Sequence, residues 1–534
     1  MQQLMSGKFW ILLFWSVLMV VSLTVRPLMP VDETRYASVA WEMWLRQDFL
    51  VPHLNGETYS HKPPLLFWLM QLSWWLFGVN EYSMRLIAPL FSLAALFLTG
   101  HIASLLWPER KRAEEGSRYV LLGFFFWMFS GTLTMFDMLL TFFVLLGIYC
   151  QLQLAWHGFT RRRWILFGIA IGGGVLSKGP VILLHLLPVA LAAPWWWPEA
   201  RPVRWHHWYL GILFAVCLGA AIALCWAIPA GISGGEAYRN AIFLGQTSGR
   251  LVKSFAHRLP WWWYLQMLSL LLLPWLLCKP FWKGMRQLSL REPAVRFCLA
   301  WLLPVLIAFS VISGKRLHYL LPLLPGFALL TFRGIDGPGS EVLRARPLLL
   351  AIVYLLAGTA LLLLPFLNDI WHWQQDLTRL SPIWGILLVF VAVYLFSAGM
   401  TATNYLFRIC LSSVAALLLL QGAFFSIEAY RYDLTSPARK IAALRAAGRD
   451  VTYYGAKYHG QYNFLGRLQK PLNTIQHQAN LLKWAVDHSS DYIIVRYRPP
   501  SPIHQQYEHF PFKSRYIALL PVKDILANPA LLPY

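Results

Sequence analysis

The sequence predicts a polytopic α-helical membrane protein that ends in a small α/β domain, and three observations carry that prediction. Hydrophobic residues make up 57% of the chain against 13% charged, with aromatics at 16%. Apolar runs of roughly 18–24 residues recur along most of the length, and each suffices to cross a ~30 Å hydrocarbon core. Sequence with polar loops and charged helix faces begins only near residue 428, whereas a soluble chain of 534 residues would show it throughout.

The first apolar run, Phe9–Val25, is followed by no small-residue cleavage site and by many further spans, so it reads as an uncleaved first helix. Spans follow near 84–107, 118–131, 135–156, 164–177, 180–197, 208–230, 262–278, 296–313, 318–332, 347–366, 383–399 and 407–426. With the first, near 9–26, they number about thirteen. Two shorter segments lie between the first two spans. In 32–47, Tyr36, Val39, Ala40 and Met43 recur at helical spacing, with Arg35, Glu42 and Arg46 on other faces. The segment 63–77 is apolar but short and led by proline. Both read as interfacial helices on the outer face. If 63–77 spanned instead, every later loop would change sides and the basic clusters would land on the wrong one.

The expected domains are therefore 1–427, a transmembrane domain with outer-face helices at about 32–47 and 63–77, and a soluble outer domain over 428–534. In the latter, 436–447 reads as a capped amphipathic helix, 450–454 and 492–497 as strands, and 479–487 as a helix. Tyr458, His459 and Tyr462 have the chemistry to touch a glycan, but packing within the domain is the simpler account.

The formal charge of +22 has a plain source. Arg110-Lys111-Arg112, Arg161-Arg162-Arg163, Arg201 with Arg204, Lys279 to Arg291, and Arg344 with Arg346 fall in alternate loops, as a positive-inside arrangement requires. Nucleic acid is not an expected partner. The six cysteines all lie in apolar spans without metal-ligand spacing, so they read as packing residues.

With Lys8 inside, 32–85, 231–260 and everything after 428 lie outside. Arg35, Lys62, Arg85, Lys178, Arg250, Lys253, Arg258, Lys315 and Arg316 then break the positive-inside bias, most of them at helix ends. Lys178, in the tight turn Ser177-Lys178-Gly179-Pro180, is the clearest. One such lysine could snorkel; several on one leaflet point to an anion, and the abundant anion there is a lipid phosphate. Trp261-Trp262-Trp263-Tyr264 beside Arg258 is more simply an interfacial belt than a pocket rim. Acids are rarer. Asp32 stands just before a helix, where it could cap it, with Glu33 beside it favouring the positive helix end. Asp137 opens a strongly apolar helix, where a carboxylate at bilayer depth costs about 2.5–3.5 kcal/mol on insertion scales. Paired acids beside a bound phosphate suit group transfer, one orienting or deprotonating an acceptor while cations stabilise the leaving phosphate.

Asp32-Glu33-Thr34-Arg35-Tyr36-Ala37, Asn55-Gly56 and Lys62-Pro63-Pro64-Leu65 together resemble the outer-face signature of the bacterial aminoarabinose (4-amino-4-deoxy-L-arabinose) lipid A transferases. These belong to the protein-mannosyltransferase-like group of GT-C glycosyltransferases. The likeness continues at Asp137, Ser177-Lys178-Gly179, His257-Arg258-Leu259-Pro260-Trp261-Trp262 and Ser313-Gly314-Lys315 with His318-Tyr319, and so runs in order through about the first 330 residues. It implies a GT-C-like fold in the bacterial inner membrane and an active site on the periplasmic side. The donor would be a polyprenyl-phosphate-linked sugar, with lipid A or another envelope glycolipid as acceptor among the membrane lipids. By position, Asp32 looks like the leading catalytic carboxylate with Glu33 beside it, and Asp137 like the second. Lys62 looks like a donor-phosphate ligand, with Arg258, Lys315, Tyr319, Arg35 and Lys178 as further candidates. No cofactor is required. The pattern departs at His61, where the family carries a glutamate associated, with a histidine matched by His257, with a bound metal. His61 and His257 are thus candidate ligands for a divalent cation, zinc or else Mg/Mn.

The expected chemistry is inverting attack by an acceptor oxygen on the anomeric carbon, with polyprenyl phosphate leaving. No nucleotide is needed, and Gly172-Gly173-Gly174 reads as close helix packing rather than a nucleotide loop. Two alternatives stay open: a protein or polysaccharide acceptor, and a lipid-linked glycan transporter. A transporter would show inverted repeats and charges deep in broken spans, and no convincing repeat is visible.

Overall fold

The computed structural model describes residues 7–198, 202–245, 259–336, 346–371, 375–397 and 402–532. It is predominantly helical, and its contacts divide it into two compact units. One comprises Met1–Leu23, Ser60–Leu66 and Asn80–Ala423; the other comprises Thr24–Tyr59, Phe67–Val79 and Phe424–Tyr534. The grouping thus crosses the linear boundary near 428, because most of the segments 32–47 and 63–77 groups with the carboxy-terminal residues.

The helices run α1 (Gly7–Val25), α2 (Asp32–Arg46), α3 (Leu65–Phe77), α4 (Glu81–Leu106), α5 (Ala113–Gly123), α6 (Phe125–Gly131), α7 (Phe136–His157), α8 (Arg161–Lys178), α9 (Val181–Leu191), α10 (Ala193–Trp196) and α11 (Trp205–Ser233). Beyond them come Trp263–Leu271, Pro293–Val311, Leu324–Ile335, Leu348–Trp371, Ile383–Ser397 and Ala402–Glu428. Every expected span falls on one of these helices or on a broken pair. Among the described residues, seven helices are long and apolar enough to cross a membrane. The others are short or interrupted for local reasons: α9 carries Pro188 and gives way to α10 after Ala192, and Leu324–Ile335 is preceded by a 3₁₀ stretch containing Pro322.

Small residues let the spans of the first unit approach closely. A methyl added at Gly172 would lie 2.8 Å from Ile222 of α11, and one at Gly174 only 1.9 Å from Ile182 of α9. The glycine triplet is therefore a packing seam, as expected. Sparse polar links add register: Trp15 Nε1 donates to Ser92 Oγ at 3.2 Å, and Ser22 Oγ to Gln421 Oε1 at 3.3 Å. Arg85 is fully buried and pairs with Glu81 at 3.0 Å.

The second unit is built on a five-stranded sheet, after a short hairpin of β1 (His53–Leu54) and β2 (Glu57–Thr58). Its strands are β3 (Val451–Tyr454), β4 (Asn473–Ile475), β5 (Tyr492–Tyr497), β6 (His509–Phe512) and β7 (Arg515–Pro521), in the order β4-β3-β5-β7-β6. β3 pairs in parallel with β4 and β5, while β7 runs antiparallel to β5 and β6. Alternating side chains feed two cores: Ile494 and Ile517 pack with Ala438 and Ile441 of helix Thr435–Ala446, whereas Ile493 and Ala518 pack with Leu481 and Ala485 of helix Gln478–Asp487.

The loop between β3 and β4 is fastened to α2. Ser38 Oγ donates to the Gly460 carbonyl and accepts from Phe464 N at 3.2 Å, and Trp41 Nε1 donates to the Leu468 carbonyl at 3.0 Å. Phe464 stacks on Trp74 of α3 at 5.3 Å.

Candidate active site

In the first unit the site grows from one helical hairpin. α7 has 22 residues and α8 has 18, joined through a turn at Gly158, whose φ of 85° suits glycine. At 1.5 Å per residue the two arms are nearly equal in length, so the start of α7 returns beside the end of α8. Asp137 occupies the first position and Lys178 the second, and Lys178 Nζ meets Asp137 Oδ1 at 2.5 Å. Both side chains are almost wholly buried, at 4% and 10% exposure. Lys178 also lies over the Tyr319 ring, 4.6 Å from its centre, and Lys62 over the Phe136 ring at 5.4 Å. Lys178, His318 and Lys62 all exert their fields on the Asp137 carboxylate.

The structure thus brings Asp137, Lys178, Tyr319 and Lys62 together. His318 was present in the sequence motif without a role, and Phe136 was not singled out at all. Lys315, buried at 2% exposure, turns back to donate to the Ile312 carbonyl. Its loop is clamped by Tyr264, whose hydroxyl donates to the Arg316 carbonyl at 3.1 Å and accepts from Arg316 N at 3.2 Å. Tyr264 is buried whereas Trp261 and Trp262 are exposed, which fits an apolar belt better than a pocket rim.

The two neighbouring acids of the second unit have different surroundings. Val31 takes the cap position of α2 without a side-chain bond, so Asp32 is the first helical residue and not its cap. It pairs with Arg35 one turn on and keeps 39% of its side chain exposed. Glu33 is 2% exposed, pairs with the equally buried Arg26 and accepts from Met29 N at 2.8 Å. Arg35 also lies over the Tyr36 ring at 5.4 Å. Glu33 is therefore placed as a packing group and Asp32 as an accessible one.

Arg258 and His257 lie outside the described residues. His61 is exposed. Among the described residues no three His, Cys, Asp or Glu side chains group as a metal site, and no step is routed through a metal.

Comparison with known proteins bears out the resemblance read from the motifs. A family model for dolichyl-phosphate-mannose-protein mannosyltransferase matches residues 9–227. An undecaprenyl phosphate-alpha-4-amino-4-deoxy-L-arabinose arabinosyl transferase of Pectobacterium carotovorum is 30% identical over 342 residues, which is 62% of this chain and 59% of that protein. The corresponding second enzyme of Pseudomonas fluorescens is 31% identical over 307 residues, 56% of this chain and 54% of its own. The chain thus spans less than two thirds of the length of these curated relatives. The crystal structure of ArnT from Cupriavidus metallidurans bound to undecaprenyl phosphate aligns over 96% of this chain and 98% of its own, with a TM-score of 0.73 at 19% identity, and so shares the fold.

Proposed function

We propose that this multi-pass membrane protein is a glycosyltransferase. It moves a sugar from a polyprenyl-phosphate donor to lipid A or another envelope glycolipid, on the periplasmic face of the bacterial inner membrane. The observation that carries the reading is the Asp137–Lys178 pair at the end of the α7–α8 hairpin, with Tyr319 and Lys62 gathered at the same end. Two ammonium groups around one carboxylate leave that cluster suited to an anion, and a phosphodiester is the anion such a donor brings. The relatives named as undecaprenyl-phosphate sugar transferases support the donor class.

In the reaction an acceptor oxygen attacks the anomeric carbon as the bond from that carbon to the phosphate oxygen breaks. The polyprenyl phosphate leaves with the electron pair, and Lys62 and Lys178 stabilise the charge gathering on it. Asp137 holds the Lys178 ammonium in place over Tyr319. A phosphate acceptor arrives already anionic and Asp32 positions it; a hydroxyl acceptor gives its proton to Asp32. The test supplies purified protein with a radiolabelled polyprenyl-phosphate sugar and lipid A. Label should move to lipid A; Asp32→Asn should abolish most of that transfer, and Lys62→Ala should cut it about tenfold at limiting donor. Transfer unchanged by both substitutions refutes the site assignment. Label that moves only to a protein or polysaccharide replaces the acceptor.

A further inference from the structure

One loop of the carboxy-terminal sheet domain is fastened to α2 at Ser38, about two turns along from Asp32 on the same helix. Asp32, Arg35 and Ser38 follow at a spacing of three, so each neighbours the next on the helix surface. Ser38 Oγ donates to the Gly460 carbonyl, and a methyl added at Gly460 would come within 2.5 Å of Leu54 and 3.3 Å of Ser38. Gly460 itself has a φ of 70°, so the loop turns sharply where it touches the helix.

That contact sets His459, the residue before Gly460, within the fields of Arg35 and Asp32, with Lys457 two residues further back. The loop is firmly built: Tyr458 OH donates to Asn463 Oδ1 at 2.6 Å, His459 N donates to Gln461 Oε1 at 3.2 Å, and Tyr458 packs on Tyr453 at 4.9 Å. Arg496 of β5 bonds the Tyr453 hydroxyl and adds a further cation. His459 is half-buried here. Burial first, then the fields of Arg35, Lys457 and Arg496, hold its imidazole below the ordinary range, with Asp32 opposing them. The surroundings of His459 therefore carry three positive side chains and one carboxylate, and that carboxylate is engaged by Arg35.

We propose that the loop from Lys457 to Gln461 is the acceptor-recognition element of the enzyme, with Lys457 and His459 meeting an anionic phosphate group of the acceptor beside Asp32. This rests on the glycosyltransferase reading above and adds to it which part of the chain selects the acceptor. Asp32 then positions an acceptor oxygen that the loop has already captured by its charge.

Full-length protein is assayed with a polyprenyl-phosphate sugar and either phosphorylated or enzymatically dephosphorylated lipid A. Lys457→Ala and His459→Leu, each of which removes a donor, should each raise the KM for phosphorylated lipid A about tenfold, the worth of one hydrogen bond to a charged group. The KM for the donor should stay within about twofold. With dephosphorylated lipid A the variants should match the parent. Lys483→Ala, an exposed charge on helix Gln478–Asp487, serves as the control for general electrostatics. An unchanged acceptor KM, or equal rises for donor and acceptor, overturns the proposal. If the parent protein transfers no sugar at all, the glycosyltransferase reading falls instead. Sedimentation of the protein with lipid A micelles then still tests the loop: binding weakened by Lys457→Ala and not by Lys483→Ala supports an anion site, and equal binding refutes it.

Discussion

Two buried ion pairs in this molecule look alike by burial and differ in what surrounds them. In Arg26–Glu33 both carboxylate oxygens are taken by the guanidinium, and one also accepts a backbone N–H from Met29. Asp137–Lys178 is surrounded by further polar and cationic groups, with Tyr319 under the ammonium and Lys62 and His318 acting on the same carboxylate. Burial of a pair therefore does not by itself mark a site. A pair whose carboxylate is bound at both oxygens fixes the chain, while a pair set among additional cations can take a ligand.

The comparison can be broken most forcefully at Glu33. Glu33→Gln should destabilise the protein by about 3–5 kcal/mol, because it leaves a buried guanidinium uncompensated. A thermal melt in detergent would read this, and the apolar double replacement Arg26→Met with Glu33→Leu should recover most of the loss. Asp137→Asn should lower sugar transfer by about 10²–10³-fold and, by leaving the Lys178 ammonium uncompensated, should also lower the melting temperature, though by less than Glu33→Gln does. If Asp137→Asn unfolds the protein as readily as Glu33→Gln, the two pairs are of one kind and the contrast fails. Lys62→Ala should raise the donor KM about tenfold, one charge-assisted contact being lost. Tyr319→Phe keeps the ring beneath Lys178 and should change turnover by less than about threefold, whereas Tyr319→Leu should forfeit a cation–π contact of up to about 2 kcal/mol.

How legible this was depends on whether a residue's meaning is local. Charge in an apolar run is conspicuous, so Asp137 and Lys178 stood out one at a time. Their pairing also had a signal, since the near-equal arms of α7 and α8 return one to the other, but that arithmetic needs helix ends that composition blurs. The contrast between Asp32 and Glu33 was only half visible: the signature favoured Asp32, but what removes Glu33 is Arg26, a residue no spacing rule ties to it. Lys315 looked like its neighbours in sequence, and only the structure shows its ammonium donating to the Ile312 carbonyl three residues back. In the carboxy-terminal domain the helix at 435–446 and the strands β3 and β5 were legible from their apolar periods. The edge strands β4 and β6 were not, being short and partly exposed. The role of Ser38 had no local signal either, because it is defined by a loop far along the chain.

That distance has a consequence for biosynthesis. The Ser38–Gly460 contact joins residues 422 positions apart. At a synthesis rate of about 5–20 residues per second, the wait between the two is about 20–80 s. Through that interval Trp41 of α2, buried in the finished fold, lacks its contacts with Phe464 and the Leu468 carbonyl, which the end of the chain supplies. The nascent protein is therefore most vulnerable to proteases and to aggregation before its last domain emerges. A ribosome that stalls anywhere in the later spans leaves behind a product that membrane quality control can recognise from its first hundred residues.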